Sequence, residues 1–171
     1  MNRDLNIKKS FPPVVPERMK ILILGSMPGE ASLQAAQYYA HPRNAFWPIM
    51  ARICGFPEGL PYHERLEKLR LHQIALWDVL ENCIRQGSLD SAIREARYNR
   101  IDELLARHPE TIKIFCNGNA AYNYLKRAFG CIFNEYKAEA LPSTSPANAR
   151  VNFETKLQIW RSKIAPYLNG E

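Results

Sequence analysis

Four short apolar runs constrain the fold of this chain more than any other feature of its sequence. They cover residues 20–24, 74–80, 111–116 and 137–141, and a stretch with helical spacing follows each one further along the chain. Continuous apolar runs of this length are typical of strands that are buried on both faces of a parallel sheet. The alternation predicts an α/β fold with three layers, α/β/α, around a central four-stranded, mainly parallel sheet.

The spacing of apolar residues between these runs predicts the helices. Periods near 3.6 residues indicate helices over 44–54, 62–70, 99–107 and 150–164. A further helix is expected to run to about Phe129, with the Asn-Gly-Asn turn at 117–119 capping its start. Residues 1–18 are polar and interrupted by proline, so we expect an N-terminal arm or tail there and a single domain over 19–171.

The composition narrows the function classes without selecting one. The chain has 171 residues and a net charge of +6, an excess that is compatible with nucleic acid, phosphate ligands or an acidic membrane surface. No apolar run approaches the ~20 residues of a membrane span, and no secretory signal is expected. The four cysteines show no zinc-ligand spacing, so we expect reduced, mostly buried thiols in a cytoplasmic protein.

Polar residues follow the strands at the points where the strands end. These ends are Gly25-Ser26, Trp77-Asp78, Asn117-Gly118 and Ser143-Thr144-Ser145. Ligands of parallel sheets bind beyond the carboxyl ends of the strands, where such residues converge. The pattern therefore predicts a polar cleft at one edge of the sheet.

Two segments near the N-terminus of the predicted domain could carry chemistry. The loop 25–29 (Gly-Ser-Met-Pro-Gly) could turn its backbone amides toward an anion or a departing base, or be a plain tight turn. The segment 38–47 (Tyr-Tyr-Ala-His-Pro-Arg-Asn-Ala-Phe-Trp) offers aromatic faces of the kind on which bases stack. Within it, Asn44 could instead cap a helix and Phe46 could belong to the core.

Two later sites are equally open to a structural or a functional interpretation. Asp78 could accept a hydrogen bond from a ligand N–H, or form a cap or a salt bridge. The stretch 143–150 offers hydroxyls, an amide and a guanidinium without any acid, a set that suits phosphates but also a capped, proline-stiffened loop.

Taken in order, these segments resemble the uracil-DNA glycosylase superfamily over about residues 19–165. Residues 39–47 are similar to the Tyr-Ala-Gly-Pro-Gly-Asn-x-Phe-Trp stretch of its mismatch-specific uracil/thymine branch, and 141–145 to the Leu-Pro-Asn-Pro-Ser loop of that branch. Met27 stands where those relatives carry a catalytic Asn or Asp. An acid-free first loop combined with Asn44-x-Phe-Trp looks like the hypoxanthine-DNA (DNA-deoxyinosine) glycosylase branch.

The resemblance implies a monofunctional DNA glycosylase that needs no metal or cofactor and releases deaminated bases from DNA, namely hypoxanthine and also xanthine or uracil. Asn44 would hold the attacking water with help from Ser26. The residues expected against the extruded base are Met27, Phe46, Asp78 and Asn117. Those expected to contact DNA are Gly25, Pro28, Gly29, Ser143, Thr144, Ser145, Asn148 and Arg150.

Two other functions remain open from the sequence. The chain could be a non-catalytic α/β module that binds nucleic acid, a possibility that Met27 favours. It could also be a hydrolase of free nucleosides. No long apolar stripe is present to form an interface, so we expect a monomer.

Overall fold

A computed structural model of the chain describes residues 6–168. The strands are β1 Ile7–Lys9, β2 Ile21–Gly25, β3 Ile74–Asp78, β4 Leu80–Ile84, β5 Arg94–Tyr98, β6 Lys113–Asn117 and β7 Glu139–Leu141. The α-helices are α1 Glu30–Ala35, α2 Phe46–Cys54, α3 Tyr62–Leu71, α4 Ile101–Arg107, α5 Asn119–Ala128, α6 Gly130–Glu135 and α7 Phe153–Leu168, and Asp90–Ala92 forms one 3-10 turn.

The central sheet has four parallel strands in the order β3-β2-β6-β7. All five residues of β2 are buried, as the continuous apolar run requires. Ile21 and Ile23 pack into one hydrophobic cluster with α2, α3 and α7, whereas Leu22 and Leu24 pack into a second cluster with α4 and α5. The predicted α/β fold with a parallel four-stranded sheet between helical layers is confirmed.

The strand-like run 74–80 is divided between two strands, and the predicted strand end at Trp77-Asp78 is where the first of them ends. β3 ends at Asp78, and β4 begins at Leu80 in a second, antiparallel sheet of order β1-β4-β5. Where the chain passes from β3 to β4, the backbone N–H groups of Val79 and Leu80 donate to the carbonyls of Gly25 and Ser26 (2.8 and 3.1 Å), at the end of β2. An apolar run therefore bridges two sheets.

The N-terminal segment lies along the edges of both sheets. Ile7–Lys9 pairs with β4, and Val14 forms an antiparallel bridge with Leu76 of β3. The first five residues of the predicted arm lie outside the described part of the chain.

The last helix begins later and ends later than the predicted range 150–164. It spans Phe153–Leu168, because the side-chain oxygen of Asn152 accepts a hydrogen bond from the Thr155 N–H (2.9 Å) and fixes the helix start there. Arg150 consequently lies in the turn before the helix. No helix within residues 6–168 is long and apolar enough to cross a membrane.

Candidate active site

A cavity of about 140 Å³ opens at the carboxyl ends of the central strands. Its wall combines the ends of three strands with the loop 25–29, the aromatic segment and the loop 143–146. The predicted site residues that line it are Gly25, Ser26, Met27, Pro28, Gly29, Asn44, Asp78, Asn117, Ser143, Thr144 and Ser145. The cleft expected from the polar strand ends is thus present as one continuous space.

Asp78 enters the cavity because Gly25 leaves room for it. The two residues are register partners at the ends of β3 and β2. A Cβ atom at Gly25 would lie 2.5 Å from Asp78 Oδ1 and 3.3 Å from the Tyr39 hydroxyl. Residue 25 must therefore be glycine, because any side chain there would displace the carboxyl group of Asp78.

The Asp78 carboxyl is 3% exposed, and its Oδ2 has no hydrogen-bond partner among residues 6–168. Burial, with a smaller effect from Asp90, raises the pKa of Asp78 to about 7, while Arg85 opposes the rise. A buried carboxyl oxygen without a partner is costly unless a ligand supplies one. Asp78 is thus placed to receive a hydrogen bond from a bound molecule.

A second carboxyl group reaches the cavity from the antiparallel sheet region. Asp90 lines the wall and accepts a 2.6 Å hydrogen bond from the Ser26 hydroxyl. Burial raises the pKa of Asp90, and the Ser26 bond and the nearby Arg85 partly offset this rise. Ser26 is thereby oriented by a partner that the sequence analysis did not predict.

Four of the five carbonyl groups of the first loop accept hydrogen bonds from the protein. Those of Gly25 and Ser26 accept from the N–H groups of Val79 and Leu80, that of Pro28 accepts from the Arg85 guanidinium, and that of Gly29 accepts from Leu33 in α1. The N–H groups of Met27 and Gly29 have no hydrogen-bond acceptor within residues 6–168. This arrangement leaves backbone donors available at the cavity wall.

Met27 itself is a packing residue. Its side chain is 6% exposed and belongs to a small hydrophobic cluster with Leu80, Cys83 and Ile93. Met27 therefore fastens the loop 25–29 to the antiparallel sheet.

Asn44 lies at the mouth of the cavity, just before α2. Its Oδ1 accepts a hydrogen bond from the Phe46 N–H (3.0 Å), and its own N–H donates to the His41 carbonyl (2.9 Å). The side-chain amide nitrogen makes no further hydrogen bond within the described chain. The Asn44 oxygen therefore braces the start of α2, and its functional interpretation stays a prediction that the unbonded NH₂ group leaves open.

The aromatic side chains that line the cavity are Tyr38 and Tyr39, whereas the sequence analysis expected Phe46 there. Phe46 is fully buried and does not line the cavity, because as the first residue of α2 it packs edge-on against Trp160 in the core. The Tyr39 ring lies stacked on Phe46 with 4.0 Å between ring centres and lines the cavity itself. Phe46 supports a ring that is available to a base.

The side chain of Asn117, at the end of β6, forms hydrogen bonds to the loop after β7 and does not cap α5. Its side chain donates to the Thr144 hydroxyl and accepts from the Thr144 N–H, both at 2.9 Å. The cap position is Gly118, at φ +93, and no side chain bonds to the helix start. The predicted turn at 117–119 does start this helix, but it caps it without a side-chain hydrogen bond, because Asn117 bonds to Thr144 instead.

Hydrogen bonds within the loop after β7 stabilise its conformation, and in them the Ser143 and Ser145 hydroxyls act as acceptors only. The Ser143 and Ser145 oxygens accept from backbone N–H groups of the same loop (3.2 Å each), and the Asn148 amide donates to the Ser143 carbonyl (3.1 Å). Thr144 is 1% exposed, and its backbone carbonyl accepts a hydrogen bond from the Ala45 N–H. Thr144 therefore mainly connects this loop to the segment before α2. Asn148 and Arg150 lie outside the cavity.

Some cavity residues escaped the sequence analysis. Ser88 and Asp90 line the wall, and the Ser88 hydroxyl accepts from the N–H of Glu30 (2.8 Å). Both come from the segment after β4, whose only sequence signal is a polar Gln-Gly-Ser turn. No group of three or more His, Cys, Asp or Glu side chains within residues 6–168 is arranged to hold a metal ion.

Comparisons with known proteins agree with this architecture. The sequence model of the uracil DNA glycosylase superfamily matches residues 12–169. A hypoxanthine DNA glycosylase of Methanosarcina barkeri is 38% identical over 146 residues, which cover 84% of this chain and 89% of that one, and its counterpart from Methanosarcina acetivorans is 37% identical over 147 residues, which cover 84% and 90%. The solution NMR structure of a candidate uracil DNA glycosylase from Methanosarcina acetivorans matches with a TM-score of 0.79 at 34% identity, over 94% of this chain and 98% of that one.

Proposed function

The chain belongs to the uracil DNA glycosylase superfamily, and we propose that it is a DNA glycosylase that releases hypoxanthine, and also xanthine or uracil, from deaminated DNA. The observation that carries this proposal is the cavity in which Asp78, Asn44 and the Tyr39 ring meet. Its volume of about 140 Å³ suits one small planar ring system, since a cavity of about 150 Å³ accommodates benzene.

Recognition of the base would depend on the unpartnered oxygen of Asp78. Hypoxanthine carries a hydrogen at ring nitrogen N1, and uracil carries one at N3. An ionised carboxyl accepts from either, whereas adenine presents an unprotonated N1 that would be repelled. The Tyr39 ring supplies the stacking face that replaces the stacking lost when the base leaves the duplex.

Cleavage would need little more than positioning and charge stabilisation. As the bond from C1′ to the base nitrogen breaks, negative charge moves onto the base, and the backbone N–H groups of Met27 and Gly29 are available to stabilise it. The free NH₂ of Asn44 would orient a water toward the sugar. An amide is a weak base, which suffices where the bond is mostly broken before the water attacks.

The hydroxyls of Ser143 and Ser145 would hold the backbone of the damaged strand beside the cavity. We further propose that the chain acts as a monomer. The most exposed large apolar side chains of the described chain, Ile7, Leu71, Leu89 and Ile112, lie on separate elements and form no obvious interface stripe. A DNA substrate also supports a location with access to the chromosome, consistent with the expected cytoplasmic one.

The proposal is tested by incubating the protein with four labelled duplexes that carry inosine, xanthine, uracil or no lesion, with EDTA present, followed by hot alkali. Strand cleavage only after alkali, in the inosine duplex and not in the undamaged control, is the expected result. DNA binding without alkali-labile sites in any duplex would instead support a binding module. Hydrolysis of free inosine alone would support a nucleoside hydrolase.

A further inference from the structure

Arg85, the residue that follows β4, is a buried cation behind the loop 25–29. It is 1% exposed, and its guanidinium donates a hydrogen bond to the carbonyl of Pro28, a residue of the cavity wall. The two other guanidinium nitrogens, Nε and Nη1, are buried and have no hydrogen-bond partner within residues 6–168. Arginine keeps its charge in proteins, so a positive charge that no carboxylate bonds directly lies next to the cavity.

This arrangement of Arg85 is unfavourable for folding alone. A buried charge without its full set of hydrogen bonds costs stability, and an apolar side chain of similar size could fill the same space. The arginine of a well-formed ion pair in this chain, Arg100 with Asp102 at 2.9 Å, lies at the surface instead. The burial of Arg85 therefore indicates that its charge serves the cavity rather than the packing of the core.

The residues that line the cavity bring negative charge to it. Glu30, Asp78 and Asp90 are among them, whereas no lysine or arginine of residues 6–168 is. A base that leaves the sugar takes the electron pair of the broken bond and becomes negative, so ionised carboxyls nearby oppose its departure. Base release in this cavity is therefore expected to depend on a compensating cation close behind the wall.

We propose that Arg85 is a positioning residue for base release, which holds the Pro28 carbonyl on the protein side and balances the negative charge of the cavity. The inference rests on the proposed function, because it concerns a base that departs as an anion. With its carbonyl bonded to the guanidinium, the loop presents its backbone N–H groups to the base. Arg85 itself does not line the cavity, so it acts through this loop and through the two buried carboxyls.

The charge of Arg85 influences both buried carboxyls. Burial raises the pKa of Asp78 and that of Asp90, and Arg85 opposes the rise in each case. The other titratable residues of the cavity wall are Glu30, Tyr38, Tyr39 and His41. Burial and the charge of Asp78 raise the pKa values of the two phenols, so these stay protonated. Without Arg85, a larger fraction of Asp78 would hold a proton at neutral pH and would no longer accept from the N–H of a base.

The test separates the charge of Arg85 from its hydrogen bond. Arg85→Lys keeps the charge and a donor, whereas Arg85→Gln keeps a donor and removes the charge. Arg97→Gln, at an exposed arginine on β5, is the matched control. For each protein, single-turnover release of hypoxanthine from an inosine duplex is measured across the pH range in which Asp78 titrates. Binding is measured with a duplex whose inosine carries a 2′-fluoro sugar that resists hydrolysis.

Arg85→Gln should bind DNA like the wild type and release hypoxanthine about tenfold more slowly, because interactions between charges stay strong where water is excluded. On acidification, its rate should also begin to fall at a higher pH than that of the wild type, because Asp78 takes up its proton earlier. Arg85→Lys should recover most of the rate and the wild-type pH profile, and Arg97→Gln should match the wild type. A purely structural role would not shift the pH profile.

A wild-type rate for Arg85→Gln would overturn the inference, as would equal losses in Arg85→Gln and Arg85→Lys with an unchanged pH profile. Arg85→Met is a second charge-free variant, in case Arg85→Gln does not fold. If neither charge-free variant folds while Arg85→Lys does, Arg85 is structural and the inference fails. Failure of the proposed function would show separately, as an absence of base release by the wild type.

A readout without catalysis completes the test. Carboxyl-carbon NMR follows the titration of Asp78, whose pKa in the wild type is about 7. This pKa should be higher in Arg85→Gln or Arg85→Met and unchanged in Arg97→Gln. An Asp78 titration that is identical in all proteins would contradict the balancing of its charge by Arg85.

Discussion

The hydroxyl of Ser26 donates a 2.6 Å hydrogen bond to the carboxyl group of Asp90, 64 residues further along the chain. This bond ties the loop after the central strand β2 to the 3-10 turn that follows the antiparallel strand β4. The cavity is therefore assembled from both sheets, and the orientation of the first loop depends on a segment outside the parallel sheet.

We expect Ser26 and Asp90 to act as one unit in base release. Ser26→Ala and Asp90→Asn should each lower single-turnover excision of hypoxanthine about tenfold, because a hydrogen bond to a charged group contributes about 1.5–3 kcal/mol and part of this loss reaches the reacting centre. The double variant should be little slower than either single variant. Losses that multiply in the double variant would show that the two residues act independently.

Close approach at Gly25 provides a second prediction. Gly25→Ala places a methyl group 2.5 Å from Asp78 Oδ1, so the carboxyl must move or the strands must separate. We expect a loss of about 1–3 kcal/mol in the free energy of unfolding and at least tenfold slower excision. Gly59→Ala is the matched control, since no atom lies within 4 Å of its added methyl group. Equal excision rates for the two variants would contradict the packing of Asp78 against Gly25.

The raised pKa of Asp78 predicts how stability depends on pH. The ordinary value is 3.8 and the value in the folded chain is about 7, so between these values the folded chain holds a proton that the unfolded chain has released. The free energy of unfolding should therefore fall as the pH rises through this range, by up to about 1.4 kcal/mol per pH unit from this group.

Asp78→Asn removes this titration, so the stability of the variant relative to the wild type should increase by roughly 2–3 kcal/mol from about pH 5 to pH 8. Denaturant unfolding at both pH values measures the difference. Asp102→Asn, at an exposed carboxyl whose pKa is lowered mainly by a hydrogen bond from Arg100, should show no such increase.

The same Asp78→Asn protein should change its preference among hypoxanthine, xanthine and uracil, and an unchanged preference would remove Asp78 from base recognition.

The sequence predicted the central sheet well because its strands are buried on both faces and read as continuous apolar runs. The antiparallel sheet was missed because β5 (Arg94–Tyr98) is exposed on one face and carries three charged residues, so it has no apolar run. The start of β4 was missed as well, because Val79 and Leu80 continue the apolar run past the strand end at Asp78, although the chain passes there from one sheet to the other.

The site was predictable wherever a polar residue follows an apolar run, as at Asp78 and Asn117. Asp90 and Arg85 could not be found in this way, because they reach the cavity region only through the fold of the second sheet. The sequence analysis placed Phe46 at the cavity, whereas the structure places Tyr39 there, seven residues earlier in the same aromatic segment. Only the packing of Phe46 against Trp160 shows which of the two rings faces the core.

A single comparison can separate the bracing of α2 by Asn44 from the catalytic role proposed for this residue. Its oxygen accepts from the Phe46 N–H, as the Asn152 oxygen accepts from the Thr155 N–H, at 3.0 and 2.9 Å. Asn44→Ala and Asn152→Ala should therefore each lose about 1 kcal/mol of stability through the lost cap. Only Asn44 also lines the cavity.

The most direct test is the single-turnover release of hypoxanthine from an inosine duplex by the wild type, Asn44→Ala and Asn152→Ala, with DNA binding measured on the same proteins. We predict that Asn44→Ala binds DNA but releases the base about 100-fold more slowly or worse, as expected when a positioned group at the reacting centre is removed. Asn152→Ala should keep the wild-type rate. A rate for Asn44→Ala equal to that of Asn152→Ala would contradict the assignment of Asn44 to the attacking water.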